Sequence, residues 1–82
     1  MMIDVHMKDG RTVFRLRKRG LLVDLIKRKV VEVEEQQSLS CWVRWHTEGE
    51  FEPIRLTTVN SNSIAFTREV SGEERAEFEA SR

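Results

Sequence analysis

Apolar and polar residues alternate with a period of two over much of the chain, the spacing expected of strands with one sheltered face. Ile3, Val5 and Met7 precede Asp9-Gly10, and Thr12, Phe14 and Leu16 follow it. Asp-Gly is a favoured two-residue hairpin turn, because both positions need positive φ. A turn there sets Ile3 opposite Leu16, Val5 opposite Phe14 and Met7 opposite Thr12 on one face. On the other face Asp4 meets Arg15 and His6 meets Val13. Apolar mostly pairs with apolar, and acid with base, from a single turn assignment.

Residues 20–30 carry two patterns. Leu21, Leu22, Leu25, Ile26 and Val30 fit an amphipathic helix, and Asp24 near its start and Lys27-Arg28-Lys29 near its end would suit the helix dipole. A turn at Arg19-Gly20 instead places Leu16 opposite Val23, Phe14 opposite Leu25 and Arg15 opposite Asp24. That gives a three-strand meander with an Asp4–Arg15–Asp24 ladder on its outer face. The strand reading is preferred because one arrangement satisfies both faces, although Arg19 is poorly suited to a positive-φ position. Val31 and Val33, alternating with Glu32 and Glu34, read as a half-exposed strand. Residues 34–38 have no apolar member and read as a loop.

Residues 39–46 form the clearest strand. Leu39, Cys41, Val43 and Trp45 share one face, with Ser40, Trp42, Arg44 and His46 on the other. A four-residue loop at 47–50 sets Val43 against Ile54, Cys41 against Leu56, Trp42 beside Arg55 and Trp45 against Glu52. Pro53 has no N–H to donate, so its strand is an edge or carries a bulge. Asn60-Ser61-Asn62-Ser63 is a turn cluster, followed by a last strand at 64–68 with Ile64 and Phe66 inward. Ser71 and Glu74 have the spacing of a capping box, and Arg75 and Glu79 that of an i,i+4 pair. The short C-terminal helix that follows has only Ala76, Phe78 and Ala80 as apolar residues, so it is marginal alone.

Together these elements predict a mostly β single domain over 1–82: a small antiparallel barrel or two-layer roll of six to seven short strands with a short C-terminal helix. A helix at about 20–30 would make the class α+β. The 82 residues are 39% apolar and 34% charged, too apolar for a disordered chain. A chain this small buries a small core and has marginal stability. Cys41 is the one cysteine, which rules out an internal disulfide. The N-terminus lacks the basic start and apolar run of a signal peptide, and the longest apolar runs are three residues, so cytoplasmic residence without a membrane span is expected.

Charge changes this picture more than composition does. The net charge is zero, yet residues 1–29 hold nine Lys or Arg against three Asp, and residues 30–82 hold five Arg against eleven Glu. A basic end suits nucleic acid or an acidic partner. Motifs for chemistry are missing. Cys41 and His46 point to opposite faces of one strand and cannot share an ion without a bulge. Cys41 reads as an inert core thiol. The glycines stand singly, without a phosphate-cradling loop. The carboxylate pairs lie in polar runs with nothing to raise their pKa values. No catalytic residue, cofactor, metal or small-molecule substrate is expected. The expected role is a non-enzymatic interaction or assembly module that binds a protein partner or itself, with Trp42, Arg44 and Arg55 as the contact patch. The alternative is a small nucleic-acid-binding β-barrel that uses Arg15, Arg17, Lys18 and Arg19 with an exposed Trp/Arg strand face.

Overall fold

The structure is a computed structural model and describes residues 1–27, 31–32, 40–54 and 56–81. Along the chain run β1 (Ile3–Met7), β2 (Val13–Leu16), α1 (Arg19–Ile26), β3 (Val31–Glu32), β4 (Cys41–Arg44), β5 (Glu52–Pro53), β6 (Leu56–Thr57), β7 (Ile64–Glu69) and α2 (Gly72–Ala80). The fold is mostly β. Five strands form an open antiparallel sheet in the order β5-β4-β2-β1-β7, and β3 pairs separately with β6. The expected barrel does not close: among the described residues the main sheet keeps two edges and has five strands rather than six or seven.

The first hairpin has the register its sequence specifies. Ile3 lies opposite Leu16, Asp4 opposite Arg15, Val5 opposite Phe14 and His6 opposite Val13. The turn is wider than two residues: the Met7 amide bonds the Thr12 carbonyl at 3.0 Å across residues 8–11. Gly10 takes φ +77°, a conformation that a Cβ would strain. The Asp9 carboxylate accepts from the Thr12 hydroxyl and from the Thr12 and Arg11 amides. These bonds, the Thr12 hydroxyl foremost, hold the Asp9 carboxyl down at about 2.

The preferred reading of residues 20–30 is corrected. Residues 20–27 do not extend the meander, because β4 occupies the free edge of β2, with Leu16 opposite Cys41, Phe14 opposite Val43 and Arg15 opposite Trp42; residues 28–30 lie outside the described residues. The segment therefore follows its 3.6-residue pattern as α1. Leu25 is fully buried, and Leu21 and Leu22 pack beside it against the sheet. Arg19 sits in the first turn of the helix, so the objection to it at a positive φ disappears. Asp24 belongs to α1, so the third rung of the expected ladder does not form on the sheet.

Two further registers differ from expectation. Trp42 lies opposite Pro53 and Val43 opposite Glu52, a shift of two residues from the pairing expected of a four-residue loop. Trp45 still lies at the rim. It is 48% exposed, edges Phe14 at 6.5 Å and donates from its indole to Glu52 at 2.7 Å. As Pro53 demands, β5 is an edge strand. The strand β7 pairs with β1 but carries a bulge: His6 lies opposite Phe66, and Met7 opposite Ile64. The extra residue reverses parity. Ile64 packs on the core, whereas Phe66, expected inward, is 54% exposed on the other face. The turn cluster at 60–63 forms as a single tight turn, capped by the Asn60 side chain on the Asn62 amide. The expectations for Val33, Leu39, Arg55 and the 34–38 loop fall outside the described residues.

A helix covers part of each face of the sheet. Val5, Phe14, Leu16, Cys41, Val43 and Val59 pack with Leu25 under α1. On the second face Met2, Trp42, Val70 and Phe78 pack under α2. At the centre of that second face the Arg15 guanidinium forks onto Asp4, Nε to Oδ1 at 2.7 Å and Nη2 to Oδ2 at 2.8 Å, with both side chains buried. Glu74 of α2 accepts from Arg15 at 2.9 Å and from Arg68 at 3.2 Å, and Arg68 lies 3.5 Å from Asp4. Burial opposes the charged form of Arg15, but Asp4 and Glu74 outweigh it and raise its pKa. Removing one member of such a buried pair leaves an uncompensated charge, which costs about 3–5 kcal/mol. Asp4→Ala is therefore expected to lower the free energy of urea unfolding, followed by far-UV circular dichroism, by about 3 kcal/mol. A change below about 1 kcal/mol would show that the pair does not hold the sheet and α2 together.

Candidate interaction surfaces

The alternation along β4 holds: Cys41 and Val43 face one side and Trp42 the other. What the alternation does not show is that α2 lies across the second face. Ser71 caps the helix by accepting from the Glu74 amide at 3.2 Å, and Glu73 and Glu74 in the first turn suit its positive end. Its one large apolar residue, Phe78, is buried edge-on against Trp42 (5.0 Å between ring centroids) and Phe51 (5.8 Å). Trp42 is only 2% exposed, and its indole Nε1 has no hydrogen-bond partner among the described residues.

The basic residues on this face are drawn into the same cluster. Arg15 stacks over Phe51 at 4.2 Å and Phe78 at 4.8 Å. Arg17 lies 5.0 Å over the Trp42 ring and reaches both carboxylate oxygens of Glu79 at 3.0 Å. Trp42, Arg15 and Arg17 are thus packed together instead of being offered to a partner. Lys18 and Arg19 stay exposed at the start of α1, away from the cluster. Arg44 is half-buried 5.1 Å over Phe51 and makes no ion pair with a described residue. Arg55 lies outside the described residues. The proposed Trp42 contact patch is therefore corrected, as is the exposed Trp/Arg face of the alternative reading. The acidic side chains of α2 already neutralise Arg15 and Arg17.

Two other surfaces stay open. One is β7. Five of its six residues are exposed, no described strand pairs with its outer edge, and a groove of about 320 Å³ runs beside it. Met1, Val23 and Ile26 line that groove and are 51%, 44% and 43% exposed. The opposite edge, β5, is two residues long and ends on Pro53. The second surface is the part of the second face beyond α2, around His6, Arg44 and Phe66. Sequence reasoning placed His6 and Arg44 outward but lost Phe66, because no residue pattern marks the bulge at Ala65.

Cys41 is fully buried, and burial alone pushes its thiol up to about 12, far from a reactive thiolate. Comparison with protein-family models, with curated proteins and with solved structures finds no match to this chain.

Two measurements check this packing. A thiol reagent such as dithionitrobenzoate at pH 8 is expected to leave Cys41 unmodified until denaturant is added; prompt reaction in buffer would contradict its burial. Phe78→Ala is expected to cost about 3–5 kcal/mol and to make a second tryptophan accessible to acrylamide quenching beside the exposed Trp45. Unchanged quenching would mean that α2 does not shield Trp42.

Proposed function

We propose that the chain is a non-enzymatic assembly module that joins a second copy of itself edge to edge, β7 against β7. One observation carries this reading: β7 is the longest strand of the sheet, yet five of its six residues are exposed and no described strand pairs with its outer edge. A long open edge is a template for strand addition, and monomeric proteins usually shorten, charge or cover it. Here β5 is short and proline-blocked, while β7 has no proline.

A second copy suits this edge on charge and shape. In an antiparallel pair with a two-fold axis at Thr67, each Thr67 meets its counterpart, and each Phe66 lies opposite Arg68 of the other copy. Threonine pairs and cation–aromatic pairs are both favourable cross-strand neighbours. The apolar shoulder of Met1, Val23 and Ile26 lies beside the same strand and adds burial on the first face. A C2 arrangement closes on itself and leaves no further open copy of this edge.

Analytical ultracentrifugation over a concentration series tests the reading, with a concentration-dependent dimer expected. Thr67 is exposed, so Thr67→Lys retains the fold but sets two like charges face to face, weakening the dimer about fivefold. Thr67→Val is expected to keep or strengthen association. A wild-type chain that sediments as a monomer at millimolar concentration, or a dimer indifferent to Thr67→Lys, would rule the β7 interface out.

A further inference from the structure

The open part of the second face is a cleft of about 450 Å³ at the end of the sheet away from α2. Its chemistry is one-sided. Lys8, Arg11 and Arg44 line it, and no carboxylate does among the described residues. Lys8 forms no ion pair with a described residue, and the Arg11 side chain is 63% exposed with Asp9 no closer than 4.0 Å. The Nε of Arg44 has no hydrogen-bond partner among the described residues. Arg11 is held only by an exposed ion pair with Asp9, which is worth little, and Lys8 and Arg44 have no ion pair with a described residue, so the concave wall concentrates an anion there.

The same cleft holds a flat apolar surface. The rings of His6 and Phe66 stack at 4.4 Å with 9° between their planes. His6 supports one face of Phe66, while more than half of the Phe66 side chain stays in solvent. Burial lowers the His6 pKa, so at neutral pH the stack is between two uncharged rings. The His6 Nε2 is buried and has no partner among the described residues. A supported, exposed aromatic ring beside these cations matches a ligand with a planar ring and a phosphate. An inorganic anion alone would leave the ring unused.

We propose that this cleft binds a nucleotide, with the phosphate held by Lys8, Arg11 and Arg44 and the base stacked on Phe66. The nucleotide is either free or part of a single strand, and stacking on Phe66 discriminates little between bases, because every base has a π-face. This site differs from the basic patch expected from the sequence. Of the residues in that patch, Arg15 and Arg17 are neutralised under α2, and none of the four lines the cleft.

The test uses the full chain and also its Thr67→Lys variant, so that loss of self-association cannot be confused with loss of the cleft. Adenosine monophosphate, inorganic phosphate and fluorescein-labelled single-stranded DNA and RNA of about a dozen mixed-sequence nucleotides are the probes. Amide chemical shifts report the small ligands, and fluorescence anisotropy the strands. Adenosine monophosphate is expected to shift the amides of Lys8, Arg11, Arg44 and Phe66 at concentrations where phosphate barely does. If strands are the source, they bind more tightly than the mononucleotide, with affinity falling steeply as salt rises.

Phe66→Ala and the double variant Lys8→Ala/Arg11→Ala change exposed side chains and so retain the fold. The first is expected to weaken binding roughly tenfold. The second is expected to reduce the slope of log affinity against log salt by about one. Three results would each overturn the proposal: no shifts with millimolar mononucleotide and no anisotropy change at low salt; equal responses to phosphate and mononucleotide with Phe66→Ala silent; or binding that survives both variants unchanged.

Discussion

The Asp4–Arg15 fork at the centre of the second face is the interaction on which the arrangement of that face depends. Taking a carboxylate and a guanidinium out of water costs several kcal/mol per ion, and mutual attraction offsets this only when geometry and further partners are good. Here the fork is bidentate. The same Nη2 also donates to Glu74, and the planar faces of the guanidinium lie against Phe51 and Phe78. These partners come from β1, from α2 and from the residue preceding β5. A helix as short as α2, with one large apolar anchor, would not persist by propensity alone. It is held because it completes the solvation of a charge that the sheet has already buried, and the buried charge is tolerable because the helix is there.

That mutual dependence explains the uneven surface. The helix covers the half of the second face that contains Asp4, Arg15 and Trp42, and ends there. Beyond it the sheet continues uncovered at His6, Arg44 and Phe66, and β7 projects with both faces in solvent. The part of the chain that sequence reasoning took for a binding surface is occupied in cis by the molecule's own acidic helix. The parts left for partners are those the helix does not reach.

The first hairpin was legible because turn, hydrophobic alternation and the Asp4–Arg15 pair all specify one register. The cap of α2 and the edge position of β5 were legible for a similar reason: Ser71 and Pro53 act within a few residues of their own position. The segment at 19–26 was not. Its leucines satisfy a period of two and a period of 3.6 about equally well, and the choice fell to β4, which reached the edge of β2 from 25 residues further along the chain. Phe66 was misplaced because a single bulged residue inverts the parity of everything on one side of it. Trp42 was given the correct face and the wrong exposure.

By itself, then, the sequence determined which residues share a face within an unbulged strand, which local turns and caps form, and which charges could pair across neighbouring strands. These are consequences of backbone periodicity and short-range hydrogen bonding. Only the tertiary structure decided which faces were covered, which strand took a free edge and which cations were left without counter-ions. Those outcomes depend on competition between segments distant in the chain for the same apolar surface and the same buried charge, and no local pattern records the winner.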